Sequence, residues 1–105
     1  MTSSEPANTL FVIDLTYTVS LERIDALHEE HVVFLEKGYE AGLFLFSGPK
    51  EPRDGGVIIA CAASRALIET YLREDPFHRE SCADYAITEF HPRMVADWIP
   101  RSRLR

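Results

Sequence analysis

"LFLFSGPKEPRDGGVIIACAASRALIETYLREDP", residues 43–76, holds two apolar runs, a polar loop between them, and a helical run closed by proline. "LFLFS" (43–47) ends at Gly48-Pro49 and reads as a strand. "KEPRD" (50–54) is a polar loop, and Gly55-Gly56 ends it as a turn, without the spacing of a phosphate loop. "VIIACAA" (57–63) is a second strand. Ser64 can cap the helix "RALIETYLRE", and Pro76, with no N–H and a ring that clashes with the preceding turn, forbids its continuation.

Outward from this stretch the pattern repeats. "TLFVIDLTY" (9–17) is rich in β-branched and aromatic residues and predicts the first strand. Ser20 caps a helix that runs to about Tyr39, with Glu22 in its first turn and Gly42 as its stop. "ADYAITEFH" (83–91) predicts the last strand. The order is β-α-β-β-α-β, which implies an α+β, ferredoxin-like sandwich: a four-stranded antiparallel sheet with two helices on one face. One domain is expected over residues 9–92, after a disordered lead (1–8) and before a tail (93–105) with a helical turn at 93–98. Trp98 is expected to anchor that tail on the body, since a lone tryptophan is rarely left free.

The strands also bear on assembly. A sheet covered on one face alternates apolar and polar residues. "LFLF" and "VIIACAA" do not, and Leu10 and Val12 add apolar side chains opposite Phe11, Ile13 and Leu15. The chain has no further layer for the second face. A homodimer with sheet packed on sheet is the economical solution.

Composition narrows the partners. A net charge of −6 disfavours nucleic acid, which needs a basic face. No apolar run approaches the roughly 20 residues of a membrane span. "MTSSEPAN" lacks the charge and apolar pattern of a secretory signal. Cys61 and Cys82 form no CxxC pair, so a reducing cytoplasm is expected, with Cys61 in a buried strand and Cys82 more exposed. His28, His31, His78 and His91 have no zinc spacing, and no metal or cofactor is called for.

On a helix of 100° per residue, Ile24, Leu27, His28, Phe34, Leu35 and Gly38 fall within about 60° of His31. His31 thus lies in the middle of an apolar stripe, where it is either a packed neutral histidine or a functional one. Gly38 on that stripe points to close approach of helix and sheet. Asp75 either caps the turn before Pro76 or serves a histidine brought to it. Ser47, Gly48 and Pro49 either end a strand or put a hydroxyl and a bare backbone N–H beside a ligand, and Phe77 joins them as a candidate ligand-binding residue. Asp14 interrupts the first strand and is expected at a rim, because a buried unpaired carboxylate is costly.

"EEHVVFLEKGYEAGLFLFSGP" and "GGVIIACAASRALIETYLREDPF" together resemble the YciI-like (YCII-related) family over roughly residues 10–91. The resemblance implies a dimeric α+β barrel built on ferredoxin-like subunits. It also implies a His-Asp pair as the site, which falls on His31 and Asp75. The tail from Met94 onward and His78 lie outside the family pattern.

An Asp that accepts a hydrogen bond from one imidazole nitrogen fixes the tautomer and strengthens the other nitrogen as a base. Such a pair suits proton abstraction beside a carbonyl, isomerisation, or elimination of a group such as chloride. A dehydrochlorinase among the family's members gives precedent for the last. Three functions stay open: a cofactor-free acid–base enzyme, a module binding a small apolar acid or phenol in the same cleft, and a dimerisation element whose cleft is filled.

Overall fold

The computed structural model describes residues 9–100. In chain order the elements are β1 (Thr9–Tyr17), α1 (Leu21–Ala26), α2 (His28–Glu40), β2 (Phe44–Pro49), β3 (Gly55–Ala62), α3 (Arg65–Leu72), α4 (Pro76–Arg79) and β4 (Ala83–Phe90). The four strands form one antiparallel sheet in the order β2-β3-β1-β4. This is the expected ferredoxin-like arrangement. Two differences come from local backbone geometry. The first helix is broken at Leu27, whose φ of −104° and ψ of 4° leave the helical range, so α2 starts afresh at His28. The short helix α4 follows Pro76, which suits a first helical position because its missing N–H has no intrahelical partner there.

One face of the sheet meets the helices. Phe11, Ile13 and Leu15 of β1 and Ile58, Ala60 and Ala62 of β3 alternate onto it and are buried against Ile24, Phe34, Ile68, Leu72 and Phe77. Gly38 lets α2 close onto β2, because a Cβ there would stand 2.3 Å from the Phe44 ring. Leu10, Val12, Val57 and Ile59 on the opposite face stay half-buried, while Phe46 and Phe90 are exposed. Asp14 is half exposed on that face, with its carboxylate 2.7 Å from Lys50 Nζ.

Several expectations are corrected. Gly55-Gly56 is not a turn but the start of β3, paired with Thr16 and Leu15. Glycine is needed at 55, because a Cβ would lie 1.8 Å from the Leu15 carbonyl oxygen. Cys82 is wholly buried rather than exposed. Ser81 adopts a left-handed φ of 55° that turns the chain inward, and the Cys82 N–H then donates to the Phe77 carbonyl at 2.8 Å. Residues 93–98 form no helix; between Pro92 and Pro100 only an isolated turn occurs, with Ile99 N–H donating to Ala96 O at 3.0 Å. Trp98 does not anchor this segment and is 83% exposed. The lead (1–8) and the end of the tail (101–105) lie outside the described residues. Among those described, no helix is long and apolar enough to cross a membrane.

Candidate functional site

Asp75 is both a cap and a histidine partner. Its backbone is extended, with φ −70° and ψ 127°, and its Oδ1 accepts the Phe77 N–H at 3.1 Å to cap α4. The same Oδ1 lies 2.8 Å from Nδ1 of His31, and Oδ2 accepts the Tyr85 hydroxyl at 2.6 Å. The carboxylate is fully enclosed, yet both oxygens are engaged, so a buried anion is tolerable here. An ionised carboxylate only accepts. His31 Nδ1 must therefore carry the proton, and Nε2 is left as an open nitrogen with no hydrogen-bond partner among the described residues.

The imidazole is also fixed by its faces. It stacks on Phe77 with ring centres 4.1 Å apart and planes 14° apart. Phe34 stands 5.9 Å away on a similar plane. Phe77 meets Tyr17 edge-on at 5.9 Å. With its edge held by Asp75 and its face by Phe77, the ring cannot turn without losing both contacts.

Tyr85 completes the set, and the sequence reading missed it. It lies opposite Leu15 in the sheet register, so its ring points to the helix side beneath Asp75. Burial pushes its phenol far above the usual tyrosine range, and the Asp75 charge and hydrogen bond push the same way. Tyr85 is thus a permanent donor at ordinary pH. The available signal was alternation along β4, which puts Tyr85 on the same face as Ile87, where a buried hydroxyl needs an acceptor.

His31 opens onto a cavity of about 240 Å³. Ser47, Gly48, Pro49 and Phe77 all line it, with Tyr17, His28 and Arg53 added from elsewhere in the chain. Asp75 lies behind His31 and does not line the cavity. A bulge in β2 accounts for Ser47. The register shifts between Phe44 and Phe46, so Phe46 faces outward opposite Ile59 and Ser47 comes to lie opposite Ile58 on the helix side. Ser47 Oγ is then 2.7 Å from the Tyr39 hydroxyl. Apolar side chains such as Leu15, Ile24, Val32 and Leu35 make most of the wall. A cavity of roughly 150 Å³ holds a benzene ring, so this one has room for a single substituted ring. Among the described residues no cluster of three His, Cys, Asp or Glu side chains could hold a metal.

The fold is thus ferredoxin-like, with His31 of α2 set against Asp75, the cap of α4, beside a cavity of one-ring size. The chain belongs to the YCII-related domain family, whose model matches residues 9–91. Among solved structures it is similar to the 5-chloro-2-hydroxyhydroquinone dehydrochlorinase of Burkholderia phenoliruptrix, in complex with 2,5-dihydroxybenzoquinone. The TM-score is 0.69 at 19% identity, covering 79% of this chain and 95% of that one, which shows a shared fold. No curated protein matches the chain in sequence.

Proposed function

We propose that this protein is a small enzyme that moves protons on a compact carbonyl or hydroxylated aromatic compound, with His31 Nε2 as base and acid. The observation behind this reading is the paired state of the imidazole. Nδ1 is held by a buried carboxylate, Nε2 has no hydrogen-bond partner among the described residues, and His31 lines the cavity. Nε2 takes a proton from a carbon beside a carbonyl, or from a ring hydroxyl. The electron pair left behind forms the enolate or the new C=O bond. In an isomerisation the imidazolium returns its proton to another carbon. In an elimination from a chlorinated quinol it returns the proton to the ring carbon that bears chlorine, which becomes tetrahedral. A second ring hydroxyl then gives up its proton to Nε2 and becomes C=O, chloride departs with its bonding pair, and the proton passes to water. Asp75 stabilises the imidazolium, and Tyr85 holds Asp75 in place.

The similar structure is named as a dehydrochlorinase and holds a dihydroxyquinone. Carried to this chain, that favours elimination from a hydroxylated ring. The open cavity speaks against a pure dimerisation element, whose cleft would be filled. We also propose that the outer sheet face, with Phe46 and Phe90 exposed on it, packs against a second copy.

The test is chloride release and deuterium uptake from heavy water, across a panel of chlorinated and hydroxylated quinols. The wild type is expected to turn over at least one member, and His31→Gln to slow it by about 10²–10⁴. Rings that bind without turnover, or turnover that survives in His31→Gln, would leave a binding module instead.

A further inference from the structure

Among the described residues the ionisable groups that line the cavity are Tyr17, His28, His31 and Arg53, and no carboxylate lines it. That is notable in a chain with 17 acidic and 11 basic residues. Arg53 is the one lining group among these that always bears a charge. It comes from the loop between β2 and β3, whose backbone is tied at several points. Lys50 N–H donates to Gly55 O at 3.0 Å, Asp54 N–H to Pro52 O at 2.8 Å, and Tyr17 N–H to Asp54 O at 2.9 Å. The guanidinium is thus carried on a fixed base. One of its nitrogens, Nη2, is bonded to Asp25 Oδ1, and both side chains are half exposed.

We propose that Arg53 is the specificity-determining residue of this cavity and that it selects a single-ring oxyanion, a carboxylate or phenolate. This deepens the reading of the cavity as a ligand site and rests on it. A half-exposed ion pair is screened by water and contributes little, so Arg53 exchanges Asp25 for a ligand anion at small cost. The planar fork can take a ligand oxyanion with two parallel N–H bonds. Apolar walls then hold the ring, and the charge fixes which edge of it faces Arg53. A phenolate oxygen, unlike a carboxylate, also donates electrons into the ring, which assists loss of a leaving group that takes its bonding pair with it.

Benzoate and its neutral isostere benzamide test this, titrated into the protein with the His31 ring resonances as reporter. The wild type is expected to bind benzoate about tenfold or more tightly than benzamide. Arg53→Gln is expected to erase that preference while leaving benzamide binding unchanged. Arg53→Lys is expected to restore part of it, and Asp25→Asn to strengthen benzoate binding by about 2–5-fold by freeing the guanidinium. Equal binding of the two rings by the wild type, or a preference that survives in Arg53→Gln, overturns the assignment and leaves the His31 site standing. His31 signals that respond to neither ring overturn the ligand site itself, and this assignment with it.

Discussion

Replacing Asp75 separates its two duties, and the structure gives the magnitudes. In Asp75→Ala three donors lose their acceptor: His31 Nδ1, the Tyr85 hydroxyl and the Phe77 N–H. The Phe77 N–H is buried and the other two donors are partly buried, and each unmade bond costs about 1–3 kcal/mol. Relief from burying a carboxylate offsets part of that, so the net loss expected is about 2–4 kcal/mol. Asp75→Asn behaves differently because Phe77 N–H and His31 Nδ1 share Oδ1. The amide oxygen must take that position to satisfy the cap. Nδ1 therefore keeps its proton, and only the Tyr85 hydroxyl must turn to accept from the amide. The expected loss is about 1 kcal/mol. Both variants lack the charge that stabilises the imidazolium, so both should lose about 10²–10⁴ in turnover. Urea unfolding at neutral pH, with turnover in parallel, provides the assay. Equal stability of the two variants would refute the shared-oxygen argument. Near-normal turnover in Asp75→Asn would refute the role of the charge.

Three further outcomes are expected. Tyr85→Phe should cost about 1.5–3 kcal/mol near neutral pH, as for a hydrogen bond to a charged group. Because the folded-state phenol titrates above its ordinary value of 10.0, its contribution is complete below that pH and is lost as pH rises beyond it. Wild-type stability should therefore fall above pH 10 more steeply than that of Tyr85→Phe, by up to about 1.4 kcal/mol per pH unit, and parallel curves in alkaline urea titrations would count against the buried donor. Gly38→Ala should destabilise by about 1–2 kcal/mol despite alanine's better helix propensity, since its Cβ meets the Phe44 ring; a raised melting temperature would contradict that packing. Sedimentation should give about 24 kDa, twice the 12.0 kDa chain, and a monomer that persists at micromolar concentration would remove the second-copy proposal.

Much of the architecture was legible because strand and helix periods are local properties. Ser20 and Ser64 cap helices as their positions suggested, accepting from Arg23 and Leu67 N–H. His31 and Asp75 were legible as residue types in context, and the structure brings them together across 44 positions. Tyr85 was not, since its approach to Asp75 is set by the pairing of β4 with β1, which no local pattern encodes. The β2 bulge was equally hidden, because "LFLFS" is apolar in either register and only pairing with β3 decides where Ser47 points. Arg53 sat in a stretch read only as polar loop, and its value lies in where the loop is tied. The Cys82 and Trp98 expectations failed for opposite reasons. A left-handed Ser81 turned the cysteine inward, whereas the tryptophan lies on a segment that holds only an isolated turn and so offers no helix face to pack.

If the Asp75 carboxylate fixes the proton on His31 Nδ1, the bare nitrogen of the ring is Nε2. Long-range proton–nitrogen correlation spectra of the ¹⁵N-labelled protein read this directly. They are best recorded at about pH 9, above the ordinary histidine range, and require no substrate. The expected spectrum shows a protonated, pyrrole-type Nδ1 and an unprotonated, pyridine-type Nε2, with Nε2 the nitrogen that shifts when a ring compound enters the cavity. A proton on Nε2, or a mixture of tautomers unmoved by any ligand, would contradict it.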